Sequence, residues 1–490
     1  MRTMPLHSPR SAGSWRWPAL WLFFCVSFFL WKRLPAPDVD DLFFFGAPLR
    51  IVETGELVNP LLRRWEAPFG TNRYFLQMPL HPYLLAGWLR VCGVSTLGIL
   101  SFHWVCYAAG ALGLAAYLRR FGWRLEEVLW LLPIYLVLML WLGGRPDVAA
   151  FALLFAGAGL LIDPRMGHWT RALAAFALMG FSVLCYPMTL VWAAGLTLAE
   201  AARSSAARED QLIWPLLARW LLPLAGATLL VGGVFLGLVQ GEVREFLRVF
   251  LACRALRAAP ALPALWKSLV VVKKELLALP AFVLFPALAT VAALGGWGNN
   301  WRLPTRTRLL TVSLFLIVMA CVATYYALNA RVSFLLAFFI AALAAGNGRV
   351  WVRSVTYGIF LLATALWWVQ TLFLHPPAAP EIAAARQCYD ALAAASPGRT
   401  VWLDAAAARY FFDYRLPTGA LDLFYSAPIP GYATTYPPEA NATWVATRPW
   451  LRYLREMPRD LVDYPTYRLR GRPLETLPRE PYELVVLAGD

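Results

Sequence analysis

Apolar positions in this chain neither alternate nor keep to one helical face; they come in long, nearly unbroken runs. Runs that can cross the roughly 30 Å of bilayer hydrocarbon lie at 16–33, 96–118, 125–142, 146–163, 172–187, 188–202, 216–238, 277–297, 309–328, 332–347 and 354–373. A helix that is apolar all round must be covered by lipid or by other helices. The pattern therefore predicts an α-helical polytopic membrane protein of about eleven spans. The runs 172–187 and 188–202 are the shortest, with little polar sequence between them.

Three stretches break the pattern. The first, 34–95, is a loop rich in Pro, Trp and charge. The second, 239–276, reads as an amphipathic helix in which Glu242, Arg244, Glu245, Arg248, Arg254 and Arg257 interrupt Val243, Phe246, Leu247, Phe250 and Leu251. Such a helix lies along a membrane surface. The third is the tail, 374–490, which has no further span. It mixes a helical run, Glu381–Ala395, with strand-like Thr400–Leu403, Thr443–Ala446 and Leu484–Leu487. At about 115 residues it is large enough to fold alone as a small α/β domain. The expected division is a membrane domain, 1–373, and a soluble C-terminal domain, 374–490.

Of 490 residues, 60% are hydrophobic and 15% charged, more apolar surface than a soluble chain can hide. The net charge of +15 is not gathered in a stripe, which argues against a nucleic-acid partner. It falls in clusters between runs: Arg119, Arg120 and Arg124; Arg165 and Arg171; Arg203 and Arg208; Arg302, Arg306 and Arg308; Arg349 and Arg353. The alternate short loops are nearly bare, apart from Arg145 and Arg331. By the positive-inside rule the N-terminus is cytoplasmic, and all three large pieces are extracytoplasmic. The N-terminal run resembles a secretory signal, but Lys32-Arg33-Leu34-Pro35 offers no small-residue cleavage site, so it reads as a retained span. Seven cysteines occur singly and five histidines lack ligand spacing, which disfavours a zinc site.

Candidate chemistry sits on the outer side. Asp38, Asp40 and Asp41 follow the first span directly, beside Phe43-Phe44-Phe45. Crowded carboxylates raise one another's pKa unless a cation is near. A carboxylate so placed can take a proton from a hydroxyl or hold a divalent cation such as Mg or Mn; it can also simply end the helix. Arg145-Pro146-Asp147 opens a span after Gly143-Gly144. Ionisable residues at that depth are functional candidates, Asp147 toward sugar hydroxyls and Arg145 toward phosphate or Asp147 itself, or else a boundary ion pair. Arg331 breaks the charge asymmetry in a tight outer turn, and suits a phosphate or a headgroup. Lys267, Lys273 and Lys274 precede a span and meet either carrier phosphate or anionic lipid. His81 starts a helical segment beside Pro82, where it either bonds acceptor or phosphate or is structural.

Asp40-Asp41-Leu42-Phe43-Phe44-Phe45-Gly46-Ala47, then Glu53-Thr54-Gly55, then Leu80-His81-Pro82-Tyr83-Leu84-Leu85 form an order that resembles the first outer loop of the GT-C superfamily. The likeness is to bacterial relatives of the dolichyl- or polyprenyl-phosphate-mannose protein mannosyltransferases. Here the acidic pair is Asp-Asp rather than Asp-Glu, and Tyr83 replaces a second Pro. Arg331 is similar in position to an Arg-Tyr element before a late helix, with Val332 for the Tyr. The resemblance spans roughly 16–373.

It implies an inverting glycosyltransferase of a bacterial inner membrane, with a polyprenyl-phosphate-linked sugar as donor and a lipid, glycan or protein hydroxyl as acceptor. In that reading Asp40 is the base and Asp41 its neighbour, while Arg331, Lys273 and Lys274 meet the donor phosphate. Asp38, His81, Arg145 and Asp147 line the substrate site. Asp38 with Asp40 forms an Asp-x-Asp that binds a divalent cation in some members, and metal-dependent and metal-free versions both stay open. A polysaccharide polymerase or ligase would place its key charges in a late loop. A transporter would place them near the midplane, often within inverted repeats, and no repeat is visible.

Overall fold

The computed structural model describes residues 15–32, 41–59, 73–120, 123–161, 169–206, 213–257 and 350–374, helical positions Leu336 and Ile340, and five short strands between 401 and 488. Its helices are α1 (Arg16–Lys32), α2 (Asp41–Thr54), α3 (Leu80–Cys92), α4 (Thr96–Arg120), α5 (Leu125–Trp141), α6 (Pro146–Leu160), α7 (Trp169–Cys185), α8 (Thr189–Ala206), α9 (Ile213–Leu238), α10 (Val243–Arg257) and α11 (Val350–Leu374). Eight of these fall on the apolar runs of the sequence. The short runs 172–187 and 188–202 become α7 and α8, separated by the turn Tyr186–Met188. The runs 277–297 and 309–328, nearly all of 332–347, and the helical run Glu381–Ala395 lie outside the described residues.

The centre of the bundle is α4, α6 and α7, each packed on the next, with α8 and α9 closing one side. Small residues let these backbones approach, as is usual where helices associate in lipid. A Cβ on Gly113 of α4 would strike the backbone carbonyl of Phe155 on α6, and one on Gly157 would lie 2.7 Å from the carbonyl oxygen of Ala175 on α7. Further along the same helices, Arg120 donates to the Gly159 carbonyl at 2.6 Å and Tyr117 to the Leu196 carbonyl at 2.7 Å. The first and last described helices also meet. Trp21 Nε1 donates to Thr364 at 3.0 Å, and Phe28 and Phe29 pack edge-on against Trp368.

Large apolar side chains elsewhere face outward, among them Trp17 and Phe23 on α1, Leu112 on α4, and Leu222 and Leu229 on α9. Such a surface calls for an apolar covering, which lipid hydrocarbon supplies. Among the described residues Leu97–Arg120 and Trp220–Leu238 are long and apolar enough to cross a membrane whole. The chain is an integral membrane protein.

The stretch 34–95, which the sequence presents as a loop, is partly helical. Helix α2 forms despite Pro48 in its interior, and it packs on α3, where Arg90 donates to the Ile51 carbonyl at 2.9 Å. In the tail, β1 (Val401–Leu403) pairs in parallel with β2 (Leu421–Leu423) and β3 (Thr443–Thr447). Strand β5 (Leu484–Ala488) runs antiparallel to β3 and to β4 (Pro473–Thr476), giving the order β2-β1-β3-β5-β4. Three of these strands coincide with the strand-like runs of the sequence; β2 and β4 do not.

Candidate functional site

Asp41 is the first residue of α2, where the positive end of a helix macrodipole favours a carboxylate. One turn on, the helix turns Phe44, Phe45, Ala47 and Ile51 into the core. This burial fixes the acid-bearing start of α2 against the bundle. Asp38, Asp40, Lys273, Lys274 and Arg331 lie outside the described residues, as does the side chain of Asp41.

Arg145 and Asp147 come to the same place from the start of α6. Pro146 sets the first helical position, where its missing N–H costs nothing. Arg145 is extended just before it. The Arg145 Nε donates to Asp147 Oδ2 at 3.0 Å. Asp147 is fully buried, whereas the Arg145 side chain keeps 20% of its surface. The guanidinium carbon also lies 5.5 Å from the centroid of the Phe44 ring, within cation–π range. Of this pair, Arg145 is the partly exposed member and Asp147 the buried one that holds its guanidinium.

His81 follows next in the cluster. It is the second residue of α3 and is buried. Its ring stands edge-on to Phe44 at 6.4 Å and tilts against Phe102 at 6.0 Å. Burial, with a smaller contribution from nearby His103, pushes its pKa down to about 3, so the ring is neutral at physiological pH. Among the described residues its Nε2 has no hydrogen-bond partner. His103 belongs to the same aromatic layer, edge-on to Phe45 and Phe102, with Nδ1 2.8 Å from the Ile99 carbonyl. Nothing in the sequence singles out His103, because its spacing from His81 matches no ligand motif.

A second connection ties the first loop to α10. Arg73 pairs with Glu242 at 3.4 Å, Tyr83 Oη donates to the Leu238 carbonyl at 3.3 Å, and Phe75 meets Phe246 edge-on at 5.6 Å. One end of the bundle thus gathers α2, the start of α3, the mouth of α6 and the start of α10. Among the described residues no group of three or more His, Cys, Asp or Glu side chains is arranged to hold a metal ion.

Placed over whole lengths, the chain matches the crystal structure of ArnT from Cupriavidus metallidurans bound to undecaprenyl phosphate, with a TM-score of 0.56 over 98% of this chain and 99% of that one. The chain has the GT-C fold. Identity across the match is 12%, so the likeness is one of architecture. No family model and no curated protein matches the sequence. In this fold Phe44 and His81 of the cluster come from the stretch 34–95, and Arg145 and Asp147 from the mouth of α6.

Proposed function

We propose that the protein is a glycosyltransferase that moves a sugar from a polyprenyl-phosphate carrier to an acceptor hydroxyl on the outer side of a bacterial inner membrane. The observation that carries this reading is the contact of Arg145 with Phe44, which sets a partly exposed cation beside the helix that Asp41 opens. The shared fold with a protein solved with undecaprenyl phosphate supports a lipid-phosphate donor. The N-terminus is cytoplasmic, and the domain at 374–490, with its five-stranded sheet, lies on the outer side with the site.

In this mechanism Asp40 takes the proton of the acceptor hydroxyl, and Asp41 positions it. The oxygen attacks the anomeric carbon as the bond from that carbon to the lipid phosphate breaks, inverting the centre. The phosphate leaves with the electron pair, held by Arg331, Lys273 and Lys274, whose fixed positive charges stabilise it as it develops. Arg145 meets sugar or phosphate at the mouth of α6. Asp38 with Asp40 supplies oxygens suited to a divalent cation, and running the assay with chelator separates metal-dependent from metal-free transfer.

Transfer from a radiolabelled polyprenyl-phosphate sugar in membranes tests the reading. Asp40→Asn and Arg331→Ala should each lose at least about a hundredfold in rate, the usual scale for a general base or a charge-stabilising donor. Full activity in Asp40→Asn removes the mechanism. Retained transfer of whole oligosaccharide blocks, rather than single sugars, favours a polymerase or ligase.

A further inference from the structure

We propose that the exposed face of α10 is a docking surface for anionic phospholipid headgroups. Positions three, four and seven residues apart share a helical face. Counted from Arg244 these are Leu247, Arg248 and Leu251, and all four side chains are exposed, Leu247 by 45% and Leu251 by 59%. The opposite face is already filled. Phe246, Val249 and Cys253 are buried, with Phe246 edge-on to Phe75 and Phe235 and stacked on Phe250. The leucines therefore cannot rotate inward without expelling that packing.

Around the helix the four run in the order Leu247, Leu251, Arg244, Arg248, an apolar flank beside a basic one. These flanks match the two depths of a bilayer interface, acyl carbon for the leucines and phosphodiester for the arginines. The helix carries Arg244, Arg248, Arg254 and Arg257 against Glu245 alone, so the complementary surface is anionic. Glu245 accepts from Arg248 through both oxygens, at 2.6 and 2.9 Å, which fixes that guanidinium along the helix.

Position favours lipid over a protein partner. Helix α9 ends at Leu238, and the chain reverses through Gln240 and Gly241, both left-handed at φ 54° and 79°. This tight turn keeps α10 at the edge of a helix apolar enough to span the membrane. Through Arg73–Glu242 and Phe75–Phe246, a lipid hold on α10 also holds the first loop.

Hydrogen–deuterium exchange of segment 243–257 tests the proposal, measured on the full chain in nanodiscs of phosphatidylcholine with or without phosphatidylglycerol. Exchange should slow by about fivefold in the anionic discs for each arginine engaged, and the difference should vanish at high salt. Arg244→Gln should lose most of it, and Leu247→Ser with Leu251→Ser should raise exchange in both lipids. Inorganic phosphate added to phosphatidylcholine discs should change nothing. Equal exchange in the two lipids overturns the proposal, as does protection by phosphate alone or protection seen only with two copies per disc. Segment 146–160 reports an intact fold; should a variant disturb it, the wild-type lipid and salt comparisons alone still confirm or overturn the docking surface.

Discussion

The guanidinium of Arg145 rests over the ring of Phe44, joining the mouth of α6 to the first turn of α2. Asp147 anchors the same guanidinium from beneath, fully buried at 3.0 Å. An acid-bearing helix, a cation and a buried counter-ion thereby meet at one place, and they differ in what their loss should do.

Arg145→Ala removes the cation from a buried carboxylate, a change that typically costs about 3–5 kcal/mol. Phe44→Leu keeps the pair and loses only the ring contact, about 0.5–2 kcal/mol. Thermal unfolding in detergent micelles should rank them in that order. Equal, small shifts would mean that the pair does not brace α2.

His81 makes stability depend on pH. Its folded pKa, about 3, lies below the ordinary 6.5, so between these values the unfolded chain binds the proton and the folded one does not. Stability should be complete above 6.5 and decline as pH falls toward 3. Between 6.5 and about 5, above the range in which most carboxylates titrate, His81→Gln should flatten the decline seen by unfolding midpoint. An unchanged slope would show that His81 is not buried as described.

The eight described helices that fall on apolar runs were legible because lipid demands long apolar runs, whatever their partners. Arg145 and Asp147 stood out because charge at a span mouth is costly, and their pairing two residues apart is local. Helix α2 was hidden by its own composition, since Gly46 and Pro48 disfavour a helix interior and only burial of Phe44, Phe45 and Ile51 overrides them. The contacts of Phe44 with Arg145 and of Arg73 with Glu242 join residues far apart in sequence, and no local pattern records such a meeting. Strand β2 is Leu-Asp-Leu, with an acidic residue at its centre that disfavours a strand reading.

Glycines on different helices should respond oppositely to one added methyl group. Gly113→Ala drives a Cβ into the Phe155 backbone, an overpacking that costs about 1–3 kcal/mol. A Cβ added at Gly232 of α9 would meet nothing within 4 Å beyond its own helix backbone, and Gly232→Ala should be neutral or stabilising by up to about 1 kcal/mol. Unfolding midpoints in the same detergent check both.

The bond between the first loop and α10 should lie in its ring contacts rather than its charges. Arg73→Ala breaks an exposed pair worth about 0–1 kcal/mol. Phe246→Ala empties a buried site and should cost about 3–5 kcal/mol. Proteolysis rates of segment 239–257 would rank the two, and a larger effect from Arg73→Ala would contradict this division.

Where the donor sits is the point from which the rest follows. A polyprenyl-phosphate sugar bearing a photoreactive group beside its phosphate, bound to the full chain in membranes and mapped by peptide mass, should label segments 41–54 and 145–151. Excess unlabelled donor should abolish that labelling. Labelling confined to the opposite end of the bundle, around Arg120 and Gly159, would contradict a donor site at the mouth of α6.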